Sequence, residues 1–88
     1  MTPTIGRIVI YTLTDYDRTA LKELGSLNPN NGASEAPAIV VRAWSATCLN
    51  LKVLVDGNET LWKTSAVYGD QPGQWRWPTM VGGASAAG

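Results

Sequence analysis

Apolar and polar positions alternate through most of this chain, and the alternation predicts a run of short strands. Residues 5–13 carry the β-branched and aromatic cluster Ile8, Val9, Ile10, Tyr11 and Thr12, which suits a half-buried strand starting near Gly6. Residues 38–44 predict a second strand, with Ile39, Val41 and Ala43 on one face and Val40, Arg42 and Trp44 on the other. Residues 48–55 give the cleanest period of two. Leu49, Leu51, Val53 and Val55 point one way, and Cys48, Asn50, Lys52 and Leu54 the other. Asp56-Gly57-Asn58 is a tight hairpin signal. It leads into a fourth strand over 59–65, with Thr60, Trp62 and Thr64 on one face. Lys52 and Lys63 read as solvated strand positions. Asp70-Gln71-Pro72-Gly73 is a further turn, and Trp75-Arg76-Trp77 a short fifth strand ended by Pro78. Its two indoles share a face and Arg76 takes the opposite one.

Between the first two strands the period changes. Thr14 is a good N-cap, Asp15 and Asp17 fall in the first helical turn, Lys22 lies near the end and Gly25 fits C′. Tyr16, Ala20 and Leu24 recur at i, i+4 and i+8, which predicts a narrow apolar stripe with Leu21 beside it. So short a helix does not hold alone in water, so it must dock on the sheet. Residues 28–37, NPNNGASEAP, read as a mobile loop. The fold class expected is mainly β (α+β by count). It is a small five-stranded, strongly bent antiparallel sheet or SH3-like barrel, with one short helix inserted between strands 1 and 2. Residues 1–80 are expected to form one domain, and 81–88 a flexible Gly/Ala/Ser tail.

Composition narrows the function. The 88 residues are 44% apolar and 16% charged, with seven basic and seven acidic side chains and no histidine. That excludes a histidine-based triad or zinc site, and a zero net charge argues against electrostatically driven nucleic-acid binding. The longest apolar run is far short of a membrane span. The lone Cys48 allows no internal disulfide; it reads as a small buried apolar residue and fits a reducing cytoplasm. The N-terminus carries no basic leader and no A-x-A site, so no signal peptide is expected. A domain this small has a limited core, so a homo-oligomer is expected. Dinucleotide and phosphate-loop motifs are absent, no cofactor is implied, and no enzyme activity is expected. Asp56, Asn58 and Glu59 read as hairpin chemistry rather than a calcium loop.

Four tryptophans in so short a chain are the main candidate chemistry. Trp75 and Trp77 could stack on a planar ligand while Arg76 or Arg42 takes an anionic group. The plainer alternative makes the pair core or dimer interface, because a small domain needs the area that indoles bury. With Ile39 and Val41 taken as the core side, Trp44 falls on an exposed or interface side; Trp62 faces the same choice. Tyr68 is either core cover or a hydrogen-bonding contact. The candidate ligand-binding set is therefore Trp75, Trp77, Arg76, Arg42, Trp44 and Tyr68.

The segments TIGRIVIY, PAIVVRAWS, LNLKVLVDGNETLWKTSAVYG and PGQWRWP together resemble small bacteriophage- and prophage-encoded proteins of unknown function. In these a GRIV-Y opening, a D-G-N turn and a G-x-W-x-W-P ending recur. The likeness covers about residues 4–78 and differs most in the insert over 14–36. It implies a phage context, with no activity or catalytic residue to carry over. In that context the reading preferred is a non-enzymatic protein of the host cytoplasm that sequesters a small anionic, nucleotide-derived immune signal. The alternatives are a virion structural or head decoration protein and a protein–protein inhibitor of a host enzyme. Nucleic acid ranks last among partners, and no membrane association is expected.

Overall fold

The computed structural model describes residues 2–25 and 27–79, so the expected tail at 81–88 lies outside the described residues. The elements run β1 (Ile8–Thr12), α1 (Asp15–Glu23), a 3-10 turn (Pro29–Gly32), β2 (Glu35–Ala43), β3 (Cys48–Leu54), β4 (Thr60–Val67) and β5 (Trp75–Arg76). The five strands form one antiparallel sheet in the order β4-β3-β2-β1-β5. The sheet is curled strongly into a half-barrel. Its two ends meet where Tyr68, just past β4, bridges Trp75 of β5, with the Gly69 N–H donating to the Trp75 carbonyl at 2.8 Å. This mainly β architecture, with one short helix between the first two strands, matches the expected fold class.

The inner, concave face holds the core. β3 supplies Leu49, Leu51 and Val53, with Val55 just beyond its end, as the alternation predicts. Val9 and Tyr11 of β1, Ala36, Ala38 and Val40 of β2, Leu61 and Ala66 of β4, and Trp75 of β5 complete it, with Leu13 and Leu21. Several features depart from the sequence expectation.

The first is the face of β2. The buried side is Ala36, Ala38 and Val40, while Ile39 is half-buried and Val41 exposed. The register then slips between Val40 and Arg42, so that Arg42 pairs with Asn50 and Ala43 with Leu49. The extra residue at this bulge resets the alternation. Without it, Arg42 and Trp44 would point inward behind Val40; with it, they point outward.

The second is the helix. Tyr16 is 77% and Leu24 61% exposed, and the residues buried are Asp17 and Leu21. The stripe Tyr16-Ala20-Leu24 is therefore not the docking face. Asp17 can be buried because its carboxylate is hydrogen-bonded through Oδ2 and ion-paired through Oδ1. It forms a capping box with Thr14: the Asp17 N–H donates to Thr14 Oγ1 at 3.0 Å, and the Thr14 N–H donates to Asp17 Oδ2 at 2.9 Å. The Tyr11 hydroxyl donates to the same oxygen at 2.7 Å, and Oδ1 faces the ammonium of Lys63. Lys63 is thus not a solvated strand residue. It sits on the inner side of β4 between Leu61 and Ala66 and ties that strand to α1.

The stretch 28–37 is also more ordered than its composition suggests. Asn30 and Asn31 adopt left-handed backbone (φ 52° and 48°), which asparagine tolerates. The buried Asn30 side chain donates to the carbonyls of Ala33 and Glu35 and accepts from the Asp56 N–H. β2 already begins at Glu35 inside this stretch.

Candidate functional site: the outer face of the sheet

The six residues singled out in the sequence do not converge on one site: Trp75 and Trp77 lie inside, Tyr68 and Arg76 line a shallow depression at the seam, and Arg42 and Trp44 lie on the outer face. Trp75 and Trp77 share the inner face. Trp75 is 1% exposed, its Nε1–H donates to the Thr47 carbonyl at 3.0 Å, and its ring is met edge-on by Tyr68 (5.0 Å) and Trp77 (5.5 Å). A ring enclosed in this way is core and closes the half-barrel; it offers no face to a ligand. Trp77 packs against the same core. Arg76 points the other way, as expected, but its guanidinium is engaged. Nε and Nη2 both reach Glu35 Oε2 (3.1 and 2.7 Å), and Nη1 donates to the Trp77 carbonyl. The open depression lined by Tyr68, Gly69, Asp70 and Arg76 therefore carries a neutralised arginine.

Arg42 and Trp44 form the last of these groups, on the outer face. The Arg42 guanidinium carbon lies 4.0 Å from the centre of the Trp44 ring, and Trp44 Nε1–H donates to Asn50 Oδ1 at 3.0 Å. Asn50 faces outward from β3 and its Oδ1 accepts a second bond, from the Ser65 N–H at 2.9 Å. Ser65 has φ 53° and sits where the β3–β4 register slips between Leu49 and Leu51. One amide oxygen thus ties two strand irregularities together and lays the Trp44 indole against the sheet.

Two residues further along β3, on the same face, Lys52 stands opposite Trp62 of β4 and beside Ile39 of β2. Trp44 and Trp62 are 54% and 53% exposed. Neither Arg42 nor Lys52 is paired with a carboxylate among the described residues. From Ala36 to the end of β4 the strands themselves contain no acidic residue. The outer face therefore joins two pinned or half-exposed indoles to two uncompensated cations, an arrangement suited to planar, anionic ligands.

Sequence reading reached Arg42, Trp44 and Trp62 but did not give Asn50 or Lys52 a role. The alternation already put Asn50, Lys52 and Leu54 on one side of β3. What it lacked was the bulge that brings Arg42 and Trp44 onto that side. Cys48, on the same outward set, is half-buried rather than buried. Among the described residues no group of three His, Cys, Asp or Glu side chains is placed to hold a metal ion, and no helix is long and apolar enough to cross a membrane.

In comparisons with protein-family models, curated proteins and solved structures, nothing matches this chain.

Proposed function

We propose that the chain is a non-catalytic binding module that takes a small anionic, planar, nucleotide-like ligand on the outer face of β2–β3–β4. The observation that carries this reading is the Arg42–Trp44 stack held by Asn50, next to Lys52 and Trp62. In this reading the indoles stack on the planar part of the ligand and the two free cations hold its anionic group. The titratable cluster of Tyr11, Asp17 and Lys63 is spent on holding α1 on the inner side of the sheet. In the phage context that the sequence suggests, such a module would sequester a nucleotide-derived host signal in the host cytoplasm.

The test is tryptophan fluorescence and melting temperature against a panel of mononucleotides and cyclic nucleotides. At least one is expected to quench emission and raise the Tm. Arg42→Ala is expected to weaken that ligand ~10-fold or more with little change in the Tm of the free protein, since charge-assisted bonds to an anion are of that size. A panel in which no nucleotide shifts either signal would overturn the reading.

A second reading has its own support. Ile8, Val41, Leu54 and Val67 are also exposed, which makes the sheet's outer side unusually apolar. In this reading the same face is an assembly surface, between copies of the chain in a homo-oligomer or virion, or against a host protein. Self-association would then bury the indoles, and their emission would shift to the blue as protein concentration rises.

A further inference from the structure

The outer face has two stacking stations, and their spacing narrows the class of ligand. Resting on the binding-module reading above, we propose that this site takes a dinucleotide: two bases joined through one phosphate linkage. One base stacks on the Arg42–Trp44 pair and the other on Trp62, with Lys52 at the linking phosphate.

The placement follows from the register. Lys52 pairs directly with Trp62, so one strand spacing of about 4.8 Å separates their backbones. Asn50 lies two residues back on the same face, about 7 Å along β3 at roughly 3.4 Å per residue. It holds the Trp44 indole edge by the Nε1–Oδ1 hydrogen bond. The positions that carry the two indole contacts, Asn50 and Trp62, are therefore on the order of 10 Å apart across the face, with Lys52 beside Trp62. One base cannot lie on both rings at that separation. Two bases on neighbouring sugars can, and their linkage then falls beside Lys52.

The charge points the same way. Among the described residues the face offers two cations with no carboxylate partner, Arg42 and Lys52, and the chain as a whole is neutral. One or two phosphate charges match that supply. A long single strand needs a track of cations along its backbone, and this face has none.

The experiment uses the full chain and three probes: AMP, the dinucleoside monophosphate ApA, and oligoadenylates of four and eight residues. Affinity is read by titration, and the indole N–H signals by two-dimensional NMR. ApA is expected to bind ~10-fold or more tightly than AMP, because a second base adds its own stacking. It should shift the indole signals of both Trp44 and Trp62, and leave that of Trp75, bonded to Thr47, in place. Trp62→Ala is expected to bring ApA down to about the affinity that AMP has for the same variant, since only one stacking position then remains. The NMR readout on the unmodified chain stands even if a variant fails to fold.

Equal affinity for AMP and ApA would overturn the two-base site and leave the binding-module reading intact. No binding of any probe would overturn both. Affinity that keeps climbing from two residues to eight would show an open nucleic-acid track and overturn the dinucleotide assignment.

Discussion

Asp17 shows how a charged side chain comes to be inside so small a core. Burial by itself pushes its carboxyl pKa up. The Lys63 ammonium, the Thr14 N–H and the Tyr11 hydroxyl outweigh that and leave it below the usual value of 3.8. Tyr11 responds in the opposite sense: burial, and then its bond to the Asp17 carboxylate, hold its phenol well above the ordinary range. The Lys63 ammonium also lies over the rings of Tyr11 and Tyr16, at 5.9 and 5.6 Å. A buried pair of this kind is valuable mainly while both partners are present. Lys63→Met is expected to cost about 3 kcal/mol in urea unfolding, because it strands a carboxylate in the core. Asp17→Asn combined with Lys63→Met should recover most of that loss. A Lys63→Met protein as stable as the parent would mean that water already screens the pair.

At the scale of the element, the outer face depends on two irregular strands. The bulge at Val41 turns Arg42 and Trp44 outward, and the left-handed Ser65 turns β4 beside Asn50. β4 is an edge strand, and its irregular backbone together with the inward Lys63 discourages another chain from pairing along it. Ser65 holds a conformation that disfavours any residue with a Cβ. Ser65→Gly should therefore raise stability slightly, by up to about 1 kcal/mol, while Ser65→Val lowers it by at least as much. Asn50→Leu removes the acceptor for both the Ser65 N–H and the Trp44 indole. It is expected to cost about 1–2 kcal/mol and to free the Trp44 ring, seen as a fall in its fluorescence anisotropy.

Over the whole molecule, the dependence of stability on pH follows from the same cluster. Asp17 has a lower pKa folded than unfolded, so its contribution is complete well above pH 3.8 and is lost as the pH falls through the folded value. Tyr11 has a raised pKa, so its contribution is complete below pH 10.0 and drains away as the pH climbs beyond that. The chain has no histidine, the side chain whose ordinary pKa lies nearest neutrality. Thermal unfolding is expected to give a flat plateau through neutrality that falls off on both sides. In Lys63→Met the acid limb should shrink, because burial then acts on Asp17 without the ammonium to oppose it, its folded pKa rises toward the unfolded value, and protonating the carboxyl costs less stability. An acid limb unchanged by that substitution would show that other carboxylates set it.

What the sequence determined by itself is local. The alternation in 48–55 gave the inner face of β3, Thr14 and Gly25 gave the ends of α1, and the spacing of Trp75 and Trp77 put both indoles on one side. Each of these depends on neighbours a few residues away. The tertiary structure decided what depends on partners far along the chain. Asp17 is buried only because Tyr11 and Lys63 come from two strands that the curled sheet brings to the same helix. Arg42 and Trp44 face outward only because pairing with β3 forces an extra residue at Val41. Asn50 matters only because β2 and β4 both bend beside it. A strand bulge and a buried ion pair are set by register and closure, and neither leaves a periodic mark in the residues that form it.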